Sequence, residues 1–475
     1  MKKLTKKQLP LYAFAGFGPN LLSLVLTTYL IDALIVEGFG VNVEYWTFAN
    51  KTLVMTGVFS VLVLISKLID GLADVPLAAL TDGLKTKWGK RRPAMLIGFI
   101  PMVLALVLFC FPPTLAENSL LNTIYFGVLL AIFFTAYTMT FVTYYGTYSE
   151  VTENANDRVS LSHWKAFFDT ILYSIGYAII PLFIGFHMNI RVVALLLMPL
   201  VLTMLIVFFL LKEKSTLPAD VEKDKAEHAK SHQGETMLDE NISFLDSVKL
   251  TLKNKGFMIW LGVMAAFFFG LQMFLAGQNV LASGAMGLNG WQMAIMNTSA
   301  FAPVPLMLII YRRVMKKKGF RFAFQTALAS FALAMIVFSF AYIEWIPSTI
   351  VRLILGAVGG TIGSYGIGAF FSAPYFIPSQ LAAEELENTG KSHPSMYFAM
   401  QGLFNAVVAA FSTSVIWLNI RGIVVNGEEF YGPHLMPYIV AFACVVSIVL
   451  AFFLPSSFSK LGRGGEARLT EKKPE

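Results

Sequence analysis

Twelve apolar stretches, each long enough to cross a lipid bilayer as a helix, constrain this chain more than any other feature. Spanning about 30 Å of hydrocarbon takes about 20 apolar residues at about 1.5 Å of rise each. Such segments lie near 11–36, 51–80, 94–112, 119–148, 160–187 and 192–211, and again near 256–283, 290–311, 322–343, 349–380, 395–419 and 434–454. Composition agrees: 14% of the residues are charged and 56% hydrophobic, where soluble domains carry roughly 25% charged residues. The expected fold is an all-α integral membrane protein of 12 transmembrane helices in two six-helix halves. The expected divisions are 1–211, a polar linker over 212–255, 256–455 and a tail over 456–475.

The formal net charge of +7 is no nucleic-acid signal, because the basic residues gather in short loops between apolar segments. The 81–93 loop holds Lys85, Lys87, Lys90, Arg91 and Arg92, and the 312–321 loop holds Arg312, Arg313, Lys316, Lys317, Lys318 and Arg321. The 37–50 and 113–118 loops have no basic residue, and 421–433 has only Arg421. Basic loops stay on the cytoplasmic side, which puts both termini and the linker in the cytoplasm and the protein in a cell inner or plasma membrane. Met1-Lys2-Lys3 precedes the first segment without a small-residue cleavage site, so that segment reads as a retained helix. Cys110 and Cys444 fall in apolar segments, which argues against a disulfide framework. The basic loop after the second segment is echoed after the eighth, and the acidic stretch at Glu150 is echoed by Glu384-Glu385-Leu386-Glu387. Two equivalent halves of this kind are the plan of major facilitator transporters, which rock about a site near the bilayer midplane.

The second segment carries Lys67, Asp70 and Asp74 at i, i+3 and i+7, on one face of a helix. Charges in the hydrocarbon are costly, so such a stripe is a functional-site hypothesis by default. Two carboxylates one turn apart suit a small cation or a proton. The bland alternative is a Lys67–Asp pair that only neutralises the helix.

The run Asp70-Gly71-Leu72-Ala73-Asp74-Val75-Pro76, then Lys87-Trp88-Gly89-Lys90-Arg91-Arg92-Pro93, resembles the glycoside–pentoside–hexuronide:cation symporters, whose pattern is D-x-x-x-D-P followed by a basic W-G loop. Pro76 comes one residue late. Gly16-Phe17-Gly18-Pro19-Asn20-Leu21, the stretch from Arg158 to Lys165, and Glu385 to Lys391 with Met396-Tyr397-Phe398 resemble further family stretches in the same order. The resemblance implies a cation-coupled symporter of a sugar- or glycoside-like solute, with Asp70 and Asp74 as the coupling pair and Thr138 as a hydroxyl beside it. Lys67 could occupy that site when the cation leaves. Ala73 stands where a side-chain oxygen occurs in the family, which favours H+ over Na+ as the co-transported ion.

The family's sugar carboxylates in helices one and four correspond to Asn20 and Phe141, and its Lys in helix eleven to Ala406. What remains for a solute is Asn20, Tyr137, Tyr144, Tyr145, Trp164, Lys165 and Gln401, with Phe141 among them. The lost carboxylate leaves an amphipathic, lysolipid-like solute as the alternative. Tyr144 and Tyr145 are also read as helix packing, and Trp164 and Lys165 as interface anchors. The resemblance further implies a cytoplasmic gate in which Lys90, Arg91 and Arg92 meet Asp82, Glu150 and Glu153, with Arg158 close by; the alternative is a basic loop that only sets the positive-inside topology. Asp32, near the outer end of the first helix, is read as solvated, and Asp169 as an i, i+4 partner of Lys165; both are read as structural. His163 and His187 lack metal spacing. The glycines from Gly356 to Gly368 are expected to make tight helix contacts. No nucleophile–base pair or ATP-binding motif marks the chain as an enzyme or a pump, and it is expected to need no cofactor. Its partners are a small solute and membrane lipid, not nucleic acid, and a monomer suffices for such a fold.

Overall fold

The computed structural model describes residues 3–152, 155–218, 220, 252–370, 394–423 and 432–455, with a few isolated positions besides. Twelve helices among them are long and apolar enough to cross a membrane, and no strand occurs among the described residues. They are α1 (Gln8–Leu34), α2 (Thr56–Gly83), α3 (Arg91–Phe109), α4 (Leu120–Gly146), α5 (Ala155–Gly185) and α6 (Ile190–Leu210) in the first half. The second half has α7 (Lys255–Ala285), α8 (Gly290–Lys318), α9 (Phe320–Ser339), α10 (Thr349–Phe370), α11 (Met400–Ile420) and α12 (Gly432–Phe452). Exposed apolar side chains recur every three or four residues, as Val61, Ile65, Ile69 and Leu72 on α2 and Phe442, Val445, Val449 and Phe452 on α12. In water such stripes would drive association; on a membrane-crossing helix they are the lipid-facing surface. Cys110 and Cys444 are buried and unbridged.

One sequence expectation needs correction. The basic stretch 312–321 is not a loop. α8 runs through Arg312, Arg313 and the three lysines to Lys318, and Gly319 alone, at φ +89°, turns the chain into α9. Lys and Arg are good helix formers, and cations in a last turn meet the negative end of the helix dipole. Tyr311 is buried on the same turns, with Val314 and Met315 packed against the core, so the basic segment is amphipathic.

Two features set how the helices approach and what they present. The glycines of α10 are buried, and a Cβ at Gly360 would lie 2.4 Å from Ser299 Oγ of α8, so these helices meet at backbone distance. Three helices also depart from α geometry: Leu26–Leu30 in α1, Leu281–Ala285 in α7 and Phe411–Trp417 in α11 are π-helical. Such bulges rotate the following side chains and often mark functional positions. Here they carry Thr28, Ser283 and Thr413.

At the end of the bundle where α1, α5, α7 and α11 terminate, the halves close on each other. Ser283 Oγ accepts from the backbone N–H of Gly40 (3.2 Å) and Val41 (3.0 Å) and donates to the Val41 carbonyl (2.8 Å). Asn297 donates to the Tyr177 carbonyl at 2.8 Å. Gly290 abuts Gly185, where a Cβ would lie 2.3 Å from the Gly185 nitrogen.

Candidate functional site

A cavity of about 910 Å³ lies between the halves. α1, α2, α4 and α5 wall it on one side, and α7, α10 and α11 on the other. Asn20, Tyr137, Tyr145, Lys165 and Gln401 of the expected solute set all line it. Tyr137 donates its hydroxyl to Asn20 Oδ1 at 2.7 Å, which ties α4 to α1 and fixes the amide. Gln401 is held at both ends, accepting from Trp260 Nε1 and donating to the Pro374 carbonyl, each at 2.8 Å. A preset amide costs less side-chain entropy when a solute arrives.

Three residues of that set sit elsewhere. Phe141 is buried behind Tyr137, ring centroids 4.4 Å apart. Tyr144 is buried too, its hydroxyl donated to the Tyr12 carbonyl at 2.6 Å. Trp164 stacks on Phe168 outside the cavity lining.

The helix-two stripe reaches the same space through Lys67. α2 continues without a break past Asp74 and Pro76. Lys67 lines the cavity and donates to Thr413 Oγ1 of α11, a bond that crosses the halves. Thr138 of α4 donates its hydroxyl to Asp70 Oδ1. Lys67, Asp70 and Thr138 are thus brought together; the side chain of Asp74 lies outside the described residues.

Of the expected gating set, the side chains of Asp82, Glu150 and Arg158 also lie outside the described residues, as do Glu153 and the second acidic stretch. The basic loop meets a carboxylate that the sequence reading did not select. Glu213, just beyond α6, accepts from the backbone N–H of Arg91 (3.0 Å) and Arg92 (2.9 Å) and so caps α3. Arg92 Nη2 donates to the Phe208 carbonyl at 3.0 Å.

Sequence reasoning also missed Gln272, Asn405 and Thr413 in the cavity wall. Asn405 is one turn beyond Gln401, so helical spacing could have found it. Asp32 needs correction: it is buried, not solvated, with Arg421 Nη1 2.9 Å from its Oδ1. Arg421 is 0% exposed and donates to the carbonyls of Glu37 (2.9 Å) and Ile35 (3.1 Å), with its guanidinium carbon 5.2 Å from the Phe39 ring centroid. The lone base of an apparently exposed loop is in fact inserted between the halves.

Similarities to known proteins fit this architecture. An uncharacterized symporter, sll1374, of Synechocystis sp. is 25% identical over 175 residues, covering 36% of this chain and 29% of its own length. The lactose permease of Lactobacillus helveticus is 28% identical over 190 residues, covering 38% of this chain and again 29% of its own length. The matched region thus spans less than a third of each of these relatives. A crystal structure of a D-xylose–proton symporter superposes with a TM-score of 0.59 over 96% of this chain and 98% of its own, at 12% identity, which speaks for the fold. The model of the MFS/sugar transport protein family matches residues 11–455, nearly the whole membrane domain, and the chain belongs to that family.

Proposed function

We propose that the chain is a secondary active transporter that carries a sugar- or glycoside-like solute in symport with a cation. The observation that supports this reading best is the cavity between the halves, with Asn20, Tyr145 and Gln401 in its wall and the Lys67–Asp70–Thr138 group at its edge. Amides and tyrosine faces suit a sugar ring, since both donors and acceptors are offered beside aromatic surface. Asp70 and Thr138 supply hard oxygen atoms for a small cation, or a carboxylate for a proton. Ala73 adds no oxygen, and we take H+ as the coupled ion. The basic loop ends face the cytoplasm on the positive-inside argument. The Asp32 end is then the outer face, and this conformation is closed outward. Lys67 links the coupling group to the opposite half through Thr413, so changing the charge at Asp70 bears directly on a contact between the halves.

The test is uptake into proteoliposomes under imposed pH and Na+ gradients, with neutral glycosides, uronates and lysolipids as solutes. The expected result is glycoside accumulation driven by the pH gradient. Uptake that needs Na+ and ignores pH would overturn the proton assignment. Binding and uptake confined to lysolipids would overturn the glycoside reading; the apolar wall of Phe268, Leu275 and Phe370 is what favours that outcome. Asp70→Asn is expected to abolish the gradient response while leaving solute exchange across the membrane in place.

A further inference from the structure

α1 and α4 bring Asn20, Tyr137 and Tyr145 to the cavity wall but no carboxylate, so a solute hydroxyl finds no charged acceptor on those two helices. A carboxylate nevertheless lines the cavity, on a different helix. Asp169 of α5 stands in its wall, one turn beyond Lys165, with its side chain 32% exposed. Lys165 Nζ donates to Oδ1. Oδ2 has no hydrogen-bond partner among the described residues. The Lys165 ammonium also lies 5.6 Å from the Tyr145 ring centroid, and Asn20 and Tyr137 line the same cavity. Asp169 thus shares the cavity wall with two tyrosines and an amide.

A sugar hydroxyl donates one hydrogen bond and accepts others. A lysine and an aspartate held together offer it both partners, and hydrogen bonds to charged groups are roughly twice as strong as neutral ones. The pair also cancels its own charge. An uncharged solute meets Oδ2 as an acceptor, whereas a solute carboxylate meets it as a like charge, with Lys165 already engaged.

We propose that Asp169 of α5 is the hydroxyl-binding carboxylate of this cavity, and that its pairing with Lys165 sets a preference for neutral glycosides over uronates. The proposal rests on the glycoside reading above. Its test is calorimetric binding to the purified full-length protein, with a panel of methyl glycosides, and with glucuronate and galacturonate as acidic counterparts. Asp169→Asn is expected to weaken the best neutral glycoside on the order of 10-fold, as loss of a charged acceptor does, and to strengthen uronate binding by releasing Lys165. Asp169→Glu, which keeps the carboxylate, is expected to stay near wild type for both. Equal glycoside affinity in wild type and Asp169→Asn would overturn the proposal and leave the glycoside reading intact. Equal loss in both variants, with a lowered Tm, would assign Asp169 a structural role and overturn it as well. Wild-type protein that binds no member of the panel would overturn both readings together.

Discussion

The Asp32–Arg421 pair joins α1 of one half to the end of α11 in the other and is shut away from solvent, whereas Lys165 and Asp169 sit four residues apart on one helix and face the cavity. Burying a charge pair costs more than its attraction returns unless the geometry is good and the remaining hydrogen-bonding groups are satisfied. Arg421 meets part of that condition, donating from Nε and Nη2 to the Glu37 and Ile35 carbonyls in the closed arrangement of the halves, while Asp32 Oδ2 is left without a hydrogen-bond partner among the described residues. Parting the halves would break these contacts and return both charges to water. The α5 pair has no such dependence, since both members move with one helix. A charge pair between the halves therefore responds to conformation, and a charge pair within a helix responds to what enters the cavity.

The largest expected effect comes from breaking the first pair on one side. Arg421→Ala leaves Asp32 buried without its cation and is expected to cost about 3–5 kcal/mol, read as a lowered Tm and denaturation midpoint of the purified protein. The double variant Asp32→Asn/Arg421→Gln keeps the shapes and removes both charges, and should recover most of that loss. It should also open more readily at the outer face, seen as faster labelling of a cysteine placed at Val41 by a membrane-impermeant thiol reagent. Wild-type stability in the single variant would show that the pair does not hold the halves together.

The two pairs were not equally legible in the sequence. Lys165 and Asp169 follow from helical spacing alone, because residues four apart are neighbours on any helix. Asp32 and Arg421 come from opposite ends of the chain, and only the meeting of the ends of α1 and α11 brings them together. The same contrast holds more widely. The twelve spans are legible because hydrocarbon thickness fixes their length, and the Lys67–Asp70 stripe because helix periodicity fixes its face. Helical structure through Arg312 to Lys318 is not legible from charge density, since it depends on Tyr311, Val314 and Met315 finding a core to pack on. Nor does sequence distinguish Tyr145, which lines the cavity, from Tyr144, which is buried one residue earlier and bonded to the Tyr12 carbonyl. The helix rotation of about 100° between them decides it.

An intermediate effect is expected at the opposite end of the bundle, where the comparison is between a carboxylate paired with a side-chain cation and one paired with backbone. Glu213 binds the N–H groups of Arg91 and Arg92 at the start of α3. Glu213→Ala removes a cap and is expected to cost about 1 kcal/mol. Glu213→Gln, which keeps an acceptor oxygen, should lose only part of it. Thermal unfolding checks both. A loss as large as that of Arg421→Ala would mean that this contact, too, holds more than its own helix.

The smallest effect on stability is expected where the effect on the solute is largest. Lys165→Met removes a partly exposed i, i+4 pair, a class of contact that contributes about 0.3–0.5 kcal/mol, so its Tm should stay within a degree or two of wild type. The remaining Asp169 carboxylate is then an uncompensated negative charge in the cavity wall. Uronate binding should fall below detection in calorimetry, because a solute carboxylate now meets a like charge without the neighbouring ammonium. A variant that unfolds early would place Lys165 and Asp169 with Asp32 and Arg421, as structure. A variant that stays folded but changes its choice of solute separates the two pairs by what each one senses.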